Sequence, residues 1–114
     1  MIPKKIDIYG APYTVEQKKG LSDSTGKLDG HCCSVERKIV LDPECTDPFG
    51  TFLHEALHGV LHRVGVNGNI SEEVEEIIVS SIEKFIMERF DIKCKKSNAN
   101  SKISGSSRKS KAKK

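Results

Sequence analysis

"TFLHEALHGVLHRVG", residues 51–65, decides how the rest of the chain is read. It sets His54, Glu55 and His58 in an H-E-x-x-H frame and adds His62 one turn further on. Three of the chain's four histidines fall within nine residues. Around them Phe49, Phe52, Leu53, Ala56, Leu57, Val60, Leu61 and Val64 recur with a period of about 3.6, which predicts an amphipathic helix over 48–64. Asp47 is a good N-cap, Pro48 suits the first helical position, and Gly65 supplies the left-handed residue that ends a helix.

Residues i and i+4 of a helix share a face, so His54 and His58 can offer two imidazoles to one ion at Zn–N distances of about 2.0–2.1 Å. Glu55 lies roughly 100° round the helix from His54. That direction is poor for a ligand but good for taking a proton from a water at the metal and passing it to a leaving amine. His62 lies about 12 Å along the axis from His54 at 1.5 Å per residue, too far to share the ion. It is expected at the edge of the site.

A catalytic zinc takes three protein ligands and keeps one open position, so a third ligand must come from elsewhere. After a loop over 65–70, Ser71 can cap a second helix that runs to about residue 91 and folds back antiparallel to the first. Its first turns hold Glu72, Glu73, Glu75 and Glu76, and its apolar positions are Val74, Ile77, Ile78, Val79, Ile82, Phe85, Ile86 and Phe90. Steps of 100° put Glu75 near the centre of the apolar arc, close to Ile82 and Ile86. A carboxylate there needs a partner or a cation. Glu76 falls at the edge of the arc beside Ser80, so geometry alone favours Glu75.

The N-terminal part has the two-residue period of strands. Ile6 and Ile8 alternate with polar neighbours, Gly10-Ala11-Pro12 offers turn chemistry, and Tyr13 and Val15 resume the alternation. A polar loop, "KKGLSDSTGK", follows, then two strands at about 28–33 and 37–42, the second ended by Pro43. The expected fold is α+β: a small, mainly antiparallel sheet of three to four strands packed on two antiparallel helices.

Charge divides the chain in two. Residues 93–114, "KCKKSNANSKISGSSRKSKAKK", hold nine Lys or Arg and no acid, whereas residues 1–92 hold ten basic and sixteen acidic groups, a net of −6. The expected organisation is a metal-binding domain over 1–92 and a disordered basic tail over 93–114. No apolar run is long enough to span a membrane and "MIPKKIDIYG" lacks a signal-peptide core, so a cytoplasmic location is expected. Cys32, Cys33, Cys45 and Cys94 are then reduced thiols. Cys32 and Cys33 point to opposite faces of a strand and Cys45 has no C-x-x-C partner, so packed thiols account for them better than a second metal site.

With these residues assembled, the chain resembles the minimal zincin-like metallopeptidases, and most of all the small phage and prophage proteins related to the ImmA/IrrE family. The likeness runs from about Ile6 to Arg89 and is carried by "IYGAPYTV", "LDGHCCSVERKIVLDP", "FLHEALHGVLHRVG" and "EEIIVSSIEKFI". It implies a zinc-dependent, gluzincin-like metallopeptidase that hydrolyses a peptide bond in a peptide or protein substrate, in the host cytoplasm if the chain is phage-encoded. His54 and His58 would bind Zn²⁺ and Glu55 would be the general base.

The family's ligand glutamate is followed at i+3 and i+4 by a small apolar and a small polar residue. Glu76, Val79 and Ser80 match that spacing better than Glu75, Ile78 and Val79. The resemblance therefore selects Glu76 as third ligand, with Glu75 the alternative. In resembling enzymes a strand such as "RKIVLD" borders the cleft, where an extended peptide can pair with it.

Two departures stand out: no helix-turn-helix or sensor domain is present, and no Tyr or His follows the second helix to stabilise an oxyanion. Two other function classes follow from the same residues. One is a non-catalytic metal-binding phage protein acting through a protein partner, its site closed by a fourth ligand. The other is a nucleic-acid accessory protein making weak, non-specific contacts through the basic tail, which has no aromatic residue for base stacking.

Overall fold

The computed structural model describes residues 2–95. The greater part of the basic tail, for which disorder is expected, lies outside the described residues. The chain opens with a hairpin of β1 (Lys5–Ile8) and β2 (Ala11–Gln17). Its two-residue turn is Tyr9-Gly10, both at positive φ (50° and 85°), which matches the right-handed twist of the strands. The Gly10 N–H donates to Asp7 Oδ2 at 3.0 Å. The turn therefore sits one residue before the expected Gly10-Ala11-Pro12, and Pro12 belongs to β2. Pairing of β2 with its other neighbour begins only at Thr14, so the missing N–H of Pro12 removes no ladder bond.

Two more strands complete the sheet, β5 (Gly30–Cys33) and β6 (Lys38–Leu41), in the order β1-β2-β6-β5. The outer pairs are antiparallel, as expected, but the central β2–β6 pair is parallel. The connection from β2 passes to the far edge, forms β5, and returns as β6 between β5 and β2. Within it, the expected polar loop carries a short hairpin of β3 (Ser22–Asp23) and β4 (Gly26–Lys27). Asp23 Oδ1 fixes that hairpin by accepting from the Thr25 N–H at 2.8 Å and its hydroxyl at 2.6 Å.

Helix α1 (Pro48–Arg63) starts at Asp47, whose Oδ1 accepts from the Gly50 N–H at 3.0 Å, and ends at Val64 with Gly65 left-handed at φ 81°. It lays Phe52, Ala56 and Gly59 on the sheet, where Ile8, Ala11, Tyr13, Val15, Ile39 and Leu41 form the core. Gly59 lets the helix come close: a Cβ there would lie 2.8 Å from Ile8 Cδ1. Arg63 fastens the helix end to the first hairpin, donating from Nε to Ile8 O (3.1 Å) and from Nη2 to Tyr9 O (2.8 Å).

After a 3₁₀ turn at Val66–Gly68, Ser71 caps α2 (Glu72–Arg89), its Oγ accepting from the Val74 N–H at 3.1 Å. Val79 is the buried residue of α2. Among the described residues no helix is long and apolar enough to cross a membrane.

Candidate metal centre

The sheet holds α1 by its apolar stripe, which turns His54 and His58 towards α2 and leaves Glu55 beside Gly30 of β5 at the cleft. Moving up α1 from His54 to His58, the partners on α2 move down from Glu83 to Glu75, so the helices run antiparallel across the site. The two imidazole centroids are 5.0 Å apart and the rings meet edge to face at 66°.

Each imidazole uses its two nitrogens differently. His54 Nε2 faces Glu76 Oε2 at 3.0 Å, and His58 Nε2 faces Glu76 Oε1 at 3.1 Å. The Nδ1 atoms are held elsewhere: His58 Nδ1 by Glu75 Oε2 at 2.6 Å, and His54 Nδ1 by Glu83 Oε1 at 3.2 Å. Ser80 Oγ donates to Glu76 Oε2 at 3.0 Å, orienting that carboxylate.

His54, His58 and Glu76 each offer a ligand atom, and these atoms lie within 4.8 Å of one another. Among the described residues no fourth ligand joins them. Ligands on a tetrahedral zinc sit about 3.3 Å apart for Zn–N bonds of 2.0–2.1 Å. The donor set therefore fits a divalent cation after small side-chain rotations. The imidazole–imidazole–carboxylate chemistry suits zinc, and both histidines would present Nε2 while a carboxylate holds Nδ1–H. That outer hydrogen bond fixes the tautomer and ring plane of a ligating histidine.

Glu75 and Glu76 thus have separate places. Glu75 is turned inward, its side chain 16% exposed, as the helical wheel implied, but what it meets is the back of His58. Glu76, 56% exposed, lies between the two Nε2 atoms. Glu83 was not singled out in the sequence. The available signal was its position seven residues after Glu76, two helical turns on and nearly the same face.

Electrostatics follow from this packing. At His58 burial opposes the charged ring, but the hydrogen bond to Glu75, the nearby Glu55 carboxylate and the bond to Glu76 outweigh it and raise its pKa above the ordinary value. At Glu76 burial acts upward, but His54, the Ser80 hydroxyl and His58 together hold it below the ordinary value. Burial raises Glu55, with His54, His58 and His31 acting the other way. A carboxylate held above the usual range is a better proton acceptor at neutral pH.

The cleft in front of the site has a volume of about 960 Å³ and is lined by Asp23, His31 and Cys32 from the sheet side and by Glu72, Glu73 and Ile77 from α2. A smaller cavity of about 320 Å³ lies on the other side of His54 and Glu55, between Asp29, Asp47, Thr51 and Glu83. His62 lines the main cleft, bonded through Nδ1 to Asn67 Nδ2 at 3.0 Å, and stays outside the ligand set as its axial distance requires. Cys32 forms part of the wall. Burial, with Glu55 and Cys33 adding to it, pushes its thiol up to about 12. It is a neutral wall residue, and the cysteines are free thiols.

The strand expected to border the cleft is corrected. β6, from "RKIVLD", is paired on both sides, by β2 and β5, and has no free edge for a peptide. β5 is the edge strand, and its Gly30, His31 and Cys32 line the cleft. The hydropathy of "KIVL", with Ile39, Val40 and Leu41 all buried, is that of an inner strand.

Compared with protein-family models, with curated proteins and with solved structures, the chain matches none.

Proposed function

We propose that this chain is a zinc-dependent peptidase. His54, His58 and Glu76 would hold the ion and Glu55 would act as general base and then general acid. The observation that carries this reading is the convergence of three ligand atoms within 4.8 Å, with no fourth ligand among the described residues, at the floor of an open cleft. A purely structural zinc would be closed by a fourth protein ligand. The division of nitrogens, Nε2 towards Glu76 and Nδ1 towards Glu75 and Glu83, also supports a metal site.

Zinc, when bound, lowers the pKa of its water and polarises a carbonyl oxygen. The chain's own residues do the rest. Glu55 takes the proton from the attacking water, holds it on a carboxyl already raised by burial, and delivers it to the leaving amine. Glu75 and Glu83 keep the two rings oriented throughout. The free edge of β5 can pair with an extended substrate and align its backbone along the cleft. This reading agrees with the resemblance to the zincin-like family.

The test joins metal analysis to cleavage. Purified wild type should retain close to one zinc per chain, His58→Ala should lose it, and Glu55→Gln should keep it. Zinc-loaded wild type should cleave an unfolded protein such as casein, and Glu55→Gln should not. Absence of zinc from the wild type would defeat the proposal. Zinc without cleavage would leave the non-catalytic, partner-binding alternative in its place.

A further inference from the structure

The cavity of about 320 Å³ beside α1 opens on the two residues at which the chemistry is centred, since His54 and Glu55 line it as they line the main cleft. The rest of its wall is Asp29, Gly30, Asp47, Thr51 and Glu83, with no Lys or Arg among them. Gly30 lines both cavities, and a Cβ there would lie 2.8 Å from Thr51 Cγ2, so any side chain would crowd the place where they meet.

The three carboxylates of the wall have acceptors to spare. Asp47 gives Oδ1 to the Gly50 N–H and Glu83 gives Oε1 to His54 Nδ1, which leaves each with a second oxygen. Asp29 is exposed and bonds through its backbone oxygen, to the Asp42 N–H at 2.8 Å, so its whole carboxylate faces the cavity or solvent. Among the described residues these three do not converge as His54, His58 and Glu76 do, so the cavity is no second metal centre. Spread acceptors suit an organic cation with several N–H donors, an ammonium or a guanidinium. The main cleft has the same sign: its outer walls carry Asp23, Glu72 and Glu73 and no Lys or Arg. A cleft of one sign draws in substrate of the other.

We propose that this cavity receives the side chain of a lysine or arginine beside the scissile bond, so that the substrates are basic peptide segments. The inference rests on the peptidase reading of the site and adds its specificity. The cationic head meets Asp29, Asp47 and Glu83, and the wall shared through His54 and Glu55 sets the neighbouring peptide bond at the general base. Asp29 is the specificity-determining residue, because Asp47 also caps α1 and Glu83 also holds His54.

Two readouts keep this specificity apart from the peptidase reading. In the first, N-acetyl-arginine amide and N-acetyl-lysine amide are titrated into the isotope-labelled full chain and followed by nuclear magnetic resonance at the amides of Asp29, Gly30 and Thr51. Both should bind about tenfold or more tighter than N-acetyl-methionine amide and N-acetyl-glutamate amide. Asp29→Lys, which sets the chain's own ammonium at the cavity, should weaken both about tenfold with zinc content unchanged. In the second, the fragments of casein released by the zinc-loaded chain are sequenced by mass spectrometry. Cuts should flank Lys and Arg, and Asp29→Lys should abolish that preference. Equal binding of the four amides, or binding indifferent to Asp29→Lys, would overturn the inference. So would tighter binding of alanine amide, whose cation is its α-ammonium, which would assign the cavity to a peptide N-terminus. Cleavage without preference for Lys or Arg would overturn the specificity and leave the peptidase standing. Selective binding without any cleavage would refute the peptidase and support the cavity as a cation pocket.

Discussion

Replacing Glu75 and Glu76 by alanine, one at a time, separates a ligand from the group that holds a ligand in place. Apparent zinc-binding energies of about 10–16 kcal/mol spread over four ligands give roughly 3 kcal/mol per ligand. Glu76, placed between the two Nε2 atoms, should therefore cost about two decades of zinc affinity or somewhat more, at 1.4 kcal/mol per decade. Glu75 touches only His58 Nδ1, at 2.6 Å, and removing an outer partner of that kind costs about 10–100-fold. Glu83 holds His54 Nδ1 at a longer 3.2 Å, so Glu83→Ala should cost less, about tenfold. The expected order of loss is Glu76, then Glu75, then Glu83. Competition against a chromophoric zinc chelator at fixed pH reads all three. Glu76 is 56% exposed on a helix and alanine is the best helix former, so the fold is not at issue. If Glu76→Ala binds zinc within about threefold of wild type, under 0.7 kcal/mol, while Glu75→Ala loses it, the assignment is refuted and Glu75 is the ligand.

Three further outcomes follow from the same geometry. His58 has a folded-state pKa raised above its ordinary 6.5, so its contribution to the metal-free fold is fully present below that value and is lost as pH rises through the folded pKa. Glu76 runs the other way: its contribution is present above 4.5 and is lost as pH falls through its lowered pKa. Thermal melts of metal-free protein should thus favour mildly acidic pH, while calorimetric zinc affinity should climb with pH as the His58 proton is displaced. Burial raises Glu55, so the folded state disfavours its charge, and Glu55→Gln should melt higher than wild type without metal at pH 7 but not at pH 3. Gly59→Val should cost about 1–3 kcal/mol through overpacking against Ile8, a fall in Tm of about 5–15 °C by differential scanning calorimetry.

Both main helices were legible because their caps and periods agree. Asp47, Pro48 and Gly65 bracket α1, and Ser71 opens α2, each where the hydrophobic period changes. The strands were legible by alternation, as Tyr13 and Val15 point inward along β2, although Ala11, expected in the turn, continues the same inward row. The parallel pairing of β2 with β6 was not, because strand alternation carries no information on order within a sheet. The resemblance puts "RKIVLD" at the cleft, whereas the three consecutive buried residues of its "KIVL" belong to an inner strand. The small β3–β4 hairpin was missed because two-residue strands have no period to detect. Glu83 was missed for a different reason: nothing local distinguishes it from a solvated glutamate. Only the antiparallel register of α2 on α1 brings it to His54 Nδ1.

The competition between Glu75 and Glu76 has a physical resolution in the shape of the imidazole. Its two nitrogens look in widely different directions, and a ligating histidine needs a different group at each. Adjacent helical residues diverge by about 100°. A Glu-Glu pair on the facing helix can therefore address both nitrogens of His58, one carboxylate at Nδ1 and the other at Nε2. The wheel points to the residue turned into the packing, and the spacing in the resembled family points to the residue that lies between the two Nε2 atoms. His54 obtains the same pair of contacts from Glu76 and Glu83, two turns apart and on one face. One shared carboxylate and two outer ones are the least an antiparallel helix needs to hold both rings. A single-residue slip of α2 would leave one of the two places to a glutamate and bring Val74 or Ile77 to the other, so the shape of the site depends on the fixed register between the helices.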